Sequence, residues 1–248
     1  MSVHNFRGKT TKMRKIKEKF QESRFIPPLI AKNEAQKQAL QAFAQKQIVI
    51  LSGSAGTGKT ELMSYWAAKL WREGKLDTVV ITRPYQHLGK DYGAVPGSDF
   101  EKLLPFVMSM LLKFKRYLGG NVLQAALKNT PDDLLFRDIS GINIVPIEKI
   151  QGLSFNDRTI VLADELQNAT PAQVKALVTR LEDGSQLIIA GDPIQSALPG
   201  KNGLRMLIDT LTNIHHQDIS VIHFTPDDNC RSGISGWFAN IFEQDDRW

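Results

Sequence analysis

The chain has 248 residues, of which 42% are hydrophobic and 23% are charged, and it carries a net charge of +5. This length suits one large α/β domain or two small ones, and the composition is that of an ordinary globular protein. The sequence has no apolar run long enough to span a membrane, and its N-terminus lacks the apolar core of a secretion signal. A single cysteine, Cys230, excludes an internal disulfide, so we expect a reducing, cytoplasmic compartment.

The positive charge is concentrated at the N-terminus. Residues 1–24 carry eight basic and two acidic side chains, which makes this stretch +6 and leaves the rest of the chain at −1. Such an arm could contact a nucleic-acid backbone, or it could be a solvated leader. We therefore divide the chain into a flexible basic arm over 1–24 and a globular domain over 25–248.

Strand and helix patterns alternate along the globular part. Apolar, β-branched runs predict six buried strands, at 47–51, 78–82, 142–146, 158–163, 185–190 and 220–224. Helical patterns are found at 34–44, 60–72, 100–117, 122–127, 171–181, 202–211 and from 232 or 235 to 242. Asn33 and Thr170 are the expected N-caps of two of these helices. This alternation predicts a mostly parallel sheet with helices on both faces.

A phosphate-binding motif lies between the first strand and the helix that follows it. Residues 53–60, GSAGTGKT, match the P-loop pattern G-x-x-x-x-G-K-[ST], in which backbone N–H groups and the helix N-terminus face phosphate oxygens. Lys59 supplies a charge for the β and γ phosphates, and the Thr60 hydroxyl suits a magnesium ligand. The residues predicted to bind ATP are Gly53, Ser54, Ala55, Gly56, Thr57, Gly58, Lys59, Thr60 and Glu61.

Polar residues also follow two later strands. Asp164 would hold magnesium directly or through water, and Glu165 would activate the attacking water, because a metal-bound carboxylate is a poor base. After the next strand, Gln195 would sense the γ-phosphate or position water, with Asp192 in support. The alternative for that Gly-Asp-Pro segment is a simple turn. Because the carboxyl ends of parallel strands meet at one edge, we expect these residues to converge on the P-loop.

As a set, these motifs resemble the PhoH family. Residues 162–173, LADELQNATPAQ, are similar to the family's acidic signature, and residues 180–195 are similar to the segment that follows it. The Thr-Arg-Pro at 82–84 belongs to another similar stretch, and the resemblance runs from about residue 33 to residue 243. It implies an ATPase with a single RecA-like core, related to the first motor domain of superfamily 1 helicases, with ATP and Mg²⁺ as cofactors.

The resemblance implies roles for further positions. Asn33 and Gln36 lie where such proteins place an adenine-reading glutamine ahead of the P-loop, with Gln38 as the competing position. Arg231 lies where a catalytic arginine is expected, and its alternative is a surface or capping arginine. Since one RecA-like domain does not easily bring this arginine to its own γ-phosphate, we expect it to serve a neighbouring subunit as an arginine finger. That expectation implies a homo-oligomeric ring, most simply a hexamer.

One departure from the family bears on its partners. The resemblance implies RNA or single-stranded DNA as the partner, with no membrane association. Family members usually carry Arg-Gly-Arg-Thr before the acidic strand, but this chain has Gln-Gly-Leu-Ser at 151–154 and so lacks two positive charges. We therefore keep open an ATP-gated regulatory or binding module with slow, nucleic-acid-independent hydrolysis, and rank a nuclease or a small-molecule kinase lower. A pared-down member of this kind would suit a bacteriophage.

Overall fold

A computed structural model of the protein describes residues 26–85, 99–128, 140–198, 200–231 and 233–244. The basic arm predicted for 1–24 lies outside these residues and stays a prediction. Within the described ranges, no helix combines the length and the apolar character needed to cross a membrane.

Helices and strands alternate in the order that the sequence predicts. The elements are α1 (Glu34–Gln45), β1 (Ile48–Gly53), α2 (Lys59–Arg72), β2 (Thr78–Arg83), α3 (Asp99–Leu118), α4 (Gly120–Ala126), β3 (Leu127–Lys128), β4 (Gly141–Pro146), β5 (Thr159–Ala163), α5 (Pro171–Val178), β6 (Gln186–Gly191), α6 (Gly203–Asn213), β7 (Ile219–Phe224) and α7 (Gly233–Gln244). Short 3-10 turns cover Ile147–Gly152, Leu166–Asn168 and Pro226–Asp228. All six predicted strands are confirmed, and the two-residue β3 was not predicted.

The strands form one sheet in the order β3-β4-β2-β5-β6-β1-β7, and every neighbouring pair is parallel. Strands β2 and β5 are buried almost throughout, as expected for a parallel sheet covered on both faces. One core includes Phe43, Met63 and Phe114, contributed by α1, α2 and α3. The core on the other face includes Leu177 and Leu204, contributed by α5 and α6. The predicted α/β class is therefore confirmed.

The helix ends show why some boundaries follow from sequence and others do not. The Asn33 side chain accepts a hydrogen bond from the Gln36 N–H at 2.8 Å, which confirms it as the N-cap of α1. Thr170 likewise begins α5. The prediction that α5 continues to residue 181 is wrong, because the helix ends at Val178. Leu181 instead pairs with Phe155 in an isolated parallel bridge, a tertiary contact that local sequence does not specify.

Candidate nucleotide-binding site

The P-loop connects β1 to α2 through three glycines with positive φ. Gly53, Gly56 and Gly58 have φ values of 129°, 84° and 90°, a region that residues with a Cβ rarely adopt. Space is also restricted at the first of them: a Cβ built on Gly53 would stand 1.9 Å from the carbonyl oxygen of Phe224 in β7. Both the loop conformation and the close approach of β7 therefore require glycine.

The Lys59 side chain folds back into the loop. Its Nζ donates to the carbonyl oxygens of Gly53 at 2.5 Å and Ser54 at 2.6 Å, and it lies 3.3 Å from the Thr57 hydroxyl. The ammonium charge is thus held within the same loop whose N–H groups would surround a phosphate. That this charge faces the β and γ phosphates of ATP stays a prediction.

Thr60 and Asp164 meet at the carboxyl edge of the sheet. Thr60 lies in the first turn of α2, Asp164 directly follows β5, and the Thr60 hydroxyl donates to Oδ2 of Asp164 at 3.2 Å. Burial raises the pKa of the Asp164 carboxyl above its ordinary value, and the nearby Glu165 carboxylate raises that pKa further. The charge of Arg83 and hydrogen bonds from the Glu165 N–H and the Thr60 hydroxyl oppose this rise.

These two residues fit a magnesium ion. A hydroxyl and a carboxylate are hard oxygen ligands, and a cation would stabilise a carboxylate that burial makes costly to ionise. In the described part of the chain, no group of three or more His, Cys, Asp or Glu side chains could hold a metal alone. Magnesium is usually bound by one or two carboxylates together with substrate phosphates and water, so this small set of protein oxygens fits the ion. The metal-binding role of Thr60 and Asp164 stays a prediction.

Glu165 has an unusual backbone conformation. Its φ is +56°, and no other non-glycine residue among those described has a positive φ. Its N–H donates to Oδ1 of Asp164 at 3.1 Å, and its Oε2 accepts a hydrogen bond from Nε2 of Gln167 at 2.7 Å. Strained backbone of this kind concentrates at functional sites, and here it lies directly after Asp164 at the end of β5.

Gln167 connects Glu165 to the next strand. Its Oε1 accepts from the Asp192 N–H at 3.1 Å, so one amide group joins the acidic pair to the end of β6. The Asp192 side chain accepts from the Ile194 N–H at 3.0 Å and so closes the Gly-Asp-Pro turn, while Gln195 is exposed at the same edge. Gln167 was not predicted from the sequence as a site residue, although it lies two residues after Glu165 in the segment that resembles the acidic signature.

Gln36 is packed against the P-loop. It is 5% exposed, and its Nε2 donates to the Thr57 carbonyl at 2.9 Å and to Sγ of Cys230 at 3.1 Å. Its Oε1 accepts from the Lys32 N–H at 2.9 Å. These bonds make Gln36 a support for the loop and also bring Cys230 to the site. Its role in adenine binding stays a prediction.

Arg231 lies beside the P-loop of its own chain. The Cys230 N–H donates to the Gly56 carbonyl at 2.9 Å, which holds the segment after β7 onto the loop. A Cβ built on Gly56 would stand 2.9 Å from Nε of Arg231 and 2.9 Å from Oδ1 of Asn229. Arg231 therefore lies next to Gly56 of its own chain, because β7 pairs directly with β1. Its expected role as an arginine finger for a neighbouring subunit stays a prediction.

Glu61 differs from the rest of the predicted cradle. Its carboxylate contacts Arg116 and the Tyr117 hydroxyl and lies 3.3 Å from Nζ of Lys113, all on α3. Its side chain is thus engaged by a neighbouring helix rather than by the loop. If Glu61 contacts a phosphate, it does so through its backbone N–H, which lies in the first turn of α2.

Comparison with known proteins identifies the family. A family model described as PhoH-like protein matches residues 28–243. The chain belongs to the PhoH-like family. This PhoH-like chain is 31% identical over 214 residues to Protein PhoH of Escherichia coli (strain K12), across 86% of the chain and 58% of that protein. It is 32% identical over 218 residues to a PhoH-like protein of Bacillus subtilis (strain 168), across 87% of the chain and 63% of that protein. It therefore spans about 60% of the length of these relatives.

Solved structures show the same fold. The large terminase of a thermophilic bacteriophage, in complex with ADP, has a TM-score of 0.52 and 17% identity, across 82% of the PhoH-like chain and 48% of the terminase. The large terminase of bacteriophage HK97 has a TM-score of 0.50 and 15% identity, across 91% of the PhoH-like chain and 47% of that terminase. At such identities the likeness concerns fold alone. The chain therefore has the fold of these domains, a single α/β core with a parallel sheet and helices on both faces, as predicted.

Proposed function

We propose that this PhoH-like domain binds ATP with Mg²⁺ and hydrolyses it, and that turnover is coupled to RNA or single-stranded DNA in a homo-oligomeric, ring-shaped assembly. The observation that supports hydrolysis most directly is the position of the acidic pair. Asp164 is hydrogen-bonded to Thr60 of the P-loop helix, and Glu165 follows it with its side chain fixed by Gln167.

Different residues bind the nucleotide and metal, and accept the proton. The P-loop N–H groups and Lys59 bind the phosphates, while Thr60 and Asp164 hold the metal. When bound, magnesium neutralises charge on the phosphate oxygens. Each of these interactions strengthens as charge develops on the transferred group, so their contribution to catalysis is electrostatic.

Glu165 acts as the general base. Its Oε2 is engaged by Gln167, which leaves Oε1 to accept a proton from the attacking water. The water oxygen forms a bond to the γ-phosphorus, the bond from that phosphorus to the bridging oxygen breaks, and ADP leaves with the bridging oxygen. Arg231, beside the P-loop of the same subunit, would stabilise charge in this step from within its own chain.

Separate features support nucleic-acid binding and self-association. The basic stretch at 1–24 is complementary to a nucleic-acid backbone. Self-association is supported by α7, on which Ile234 is 69% exposed and Trp237 is 57% exposed, a degree of apolar exposure typical of interaction surfaces. Because Arg231 lies beside the P-loop of its own chain, the exposed residues of α7 are the stronger support for a ring.

A second candidate function is an ATP-gated module that hydrolyses slowly and independently of nucleic acid. The segment Gln-Gly-Leu-Ser at 151–154 favours it, because the two arginines usual there are replaced by uncharged residues. Gln151 is exposed at the end of a 3-10 turn before β5, so this surface offers no positive charge at these positions.

Steady-state ATP hydrolysis with and without single-stranded RNA and DNA tests the proposal. Glu165→Gln should lower kcat by about 10²-fold or more while ATP binding persists, because only the proton acceptor is lost. Glu182→Gln, at an exposed position away from the P-loop, is the matched control and should change neither quantity. Stimulation by nucleic acid would support coupling, whereas indifference would favour the gated module. A wild-type chain without turnover, or an active Glu165→Gln variant, would contradict the proposed hydrolysis.

A further inference from the structure

Helix α3 contacts the acidic side of the magnesium site through Arg83. Thr82 of β2 lies opposite Ala163 of β5, so Arg83 and Asp164 emerge side by side from neighbouring strands. The Arg83 guanidinium donates from Nη1 to the Phe106 carbonyl of α3 at 2.9 Å, and its Cζ lies 5.6 Å from the centre of the Phe106 ring. Arg83 therefore joins the first half of α3 to the position of Asp164.

The same helix contacts the P-loop side of the site through Glu61. Glu61 directly follows Thr60, and its carboxylate is shared by Lys113, Arg116 and Tyr117 in the second half of α3. The Glu61 and Lys113 side chains are only 24% and 27% exposed, so this contact is better shielded from water than an ordinary surface ion pair.

One helix thus contacts residues next to both proposed metal ligands, Glu61 beside Thr60 and Arg83 beside Asp164. Phe106 and Lys113 are seven residues apart, which corresponds to two helical turns or about 10 Å along α3. Thr60 and Asp164 belong to different elements, α2 and the end of β5, and one hydrogen bond of 3.2 Å joins their side chains. The two contacts with α3 restrict how far the elements that carry them can move apart.

We propose that α3 is a positioning element for the magnesium site, and that Glu61 is the positioning residue through which it fixes the Thr60 hydroxyl relative to the Asp164 carboxylate. This inference rests on the proposed function, because it concerns the same site. Magnesium demands near-ideal octahedral geometry with ligands at about 2.0–2.1 Å, so a small rotation of the first turn of α2 weakens metal binding. Loss of the Glu61 contact should therefore lower magnesium affinity more than it lowers stability.

Helix α2 offers a matched control at its other end. Glu73 is also shared by two basic side chains, with Lys69 at 2.6 Å and Lys75 at 2.8 Å, but it lies at the end of α2 remote from Thr60. Glu61→Gln and Glu73→Gln therefore remove similar charge pairs from one helix. If Glu61 were an ordinary ion pair, the two variants would behave alike.

Calorimetric titration of ADP into the full chain, over a series of Mg²⁺ concentrations, separates metal binding from nucleotide binding. Glu61→Gln should raise the Mg²⁺ concentration that gives half of the metal-dependent gain in ADP affinity by about 10-fold, or ~1.4 kcal/mol. Its affinity for ADP without Mg²⁺ should stay within about 2-fold of wild type. Glu73→Gln should match wild type in both measurements. Lys113→Gln removes a partner from the α3 side and should shift the Mg²⁺ dependence in the same direction.

Hydrogen exchange provides a readout that does not depend on turnover. In the wild type, Mg²⁺ with ADP should slow the exchange of amides over residues 106–116 of α3, and Glu61→Gln should remove this slowing. An equal acceleration with and without the ligand would indicate a loosened helix pair and would overturn the inference, as would equal Mg²⁺ dependence in the Glu61→Gln and Glu73→Gln variants. A wild-type chain that does not bind ADP at all would contradict the proposed function itself.

Discussion

The side-chain amide of Gln167 donates to Oε2 of Glu165 at 2.7 Å and so fixes the carboxylate to which we assign proton transfer. The same amide accepts from the Asp192 N–H at 3.1 Å, so the base is held between the ends of β5 and β6. A general base is effective only when its oxygen is within hydrogen-bond reach of the attacking water. The orientation of Glu165 therefore depends on a residue that need not touch the nucleotide.

Replacement of Gln167 by leucine removes this support without removing the base. We expect kcat to fall by about 10–100-fold, less than in Glu165→Gln, because the carboxylate remains but samples other orientations. The KM for ATP should change by less than about 3-fold, since the P-loop is intact. Steady-state kinetics check this. Gln47→Leu, which removes only an exposed bond to the Glu182 carbonyl, is the control, and a Gln167→Leu variant with unchanged kcat would disprove the support role.

Replacement of Asp164 by asparagine should separate stability from activity. Because burial raises the folded-state pKa of Asp164, the folded chain binds this proton more readily than the unfolded chain, so ionisation of Asp164 costs stability at neutral pH. Asp164→Asn removes that cost and should raise the Tm of the metal-free protein by about 2–4 °C, the shift given by ~1 kcal/mol in a chain of this size. Mg²⁺-dependent hydrolysis should be lost.

As the pH is lowered, the contribution of Asp164 to stability and the rate of hydrolysis should change in opposite directions. As pH falls through the raised pKa of Asp164 in the metal-free protein, this group's contribution to stability rises. Hydrolysis should fall at acid pH because protons compete with Mg²⁺ for the Asp164 carboxylate. In thermal melts of the metal-free protein, the Tm advantage of Asp164→Asn over wild type should therefore shrink as the pH is lowered from neutral to acid. Asp183→Asn, at an exposed position, should follow the wild-type curve. The same curve for Asp164→Asn would refute a raised pKa.

Three glycine-to-alanine substitutions should give graded losses of stability. Gly53→Ala combines a positive φ with a Cβ 1.9 Å from the Phe224 carbonyl, so we expect a loss of about 3 kcal/mol or more. A Cβ at Gly119 would meet no atom within 4 Å, but the position has a positive φ, so Gly119→Ala should lower the free energy of unfolding by about 1–3 kcal/mol. Gly152→Ala has neither problem and should stay within ~0.5 kcal/mol. Denaturant unfolding measures all three, and equal losses would contradict this order.

The position of Arg231 can be tested by mixing inactive variants. Arg231→Ala should lower kcat by about 10²-fold or more, whereas Arg205→Ala, at an exposed position on α6, should not. Since Arg231 lies against the P-loop of its own chain, a mixture of Arg231→Ala and Glu165→Gln proteins should recover no activity. Recovery would mean that a subunit with an intact Arg231 completes the site of its neighbour, which is the arrangement of an arginine finger in trans.

Local signals were enough to predict the six main strands and the glycine-rich loop between β1 and α2. The strands are β-branched runs that end at turns, and the P-loop pattern fixes both its own glycines and the start of α2. Thr60 and Asp164 were paired correctly because residues at the ends of parallel strands share one edge.

Contacts that depend on packing between distant segments were not predictable. Local sequence did not indicate that Leu181 would lie outside α5 and pair with Phe155. Nor did it indicate that the Glu61 side chain would form an ion pair with Lys113 of α3. The position of Arg231 depends on the pairing of β7 with β1, and the order of strands in a sheet is not written in their individual patterns.

The strand order also has a consequence for the biogenesis of the protein. Ile48 of β1 has Leu187 of β6 on one side and Ile219 of β7 on the other, so β1 leaves the ribosome long before either of its neighbours. Pairings between such distant segments form slowly, because a large loop must close before any contact forms. The nascent chain therefore presents an apolar, unpaired β1 during most of its synthesis, and we expect this strand to be the principal binding site for chaperones on the ribosome.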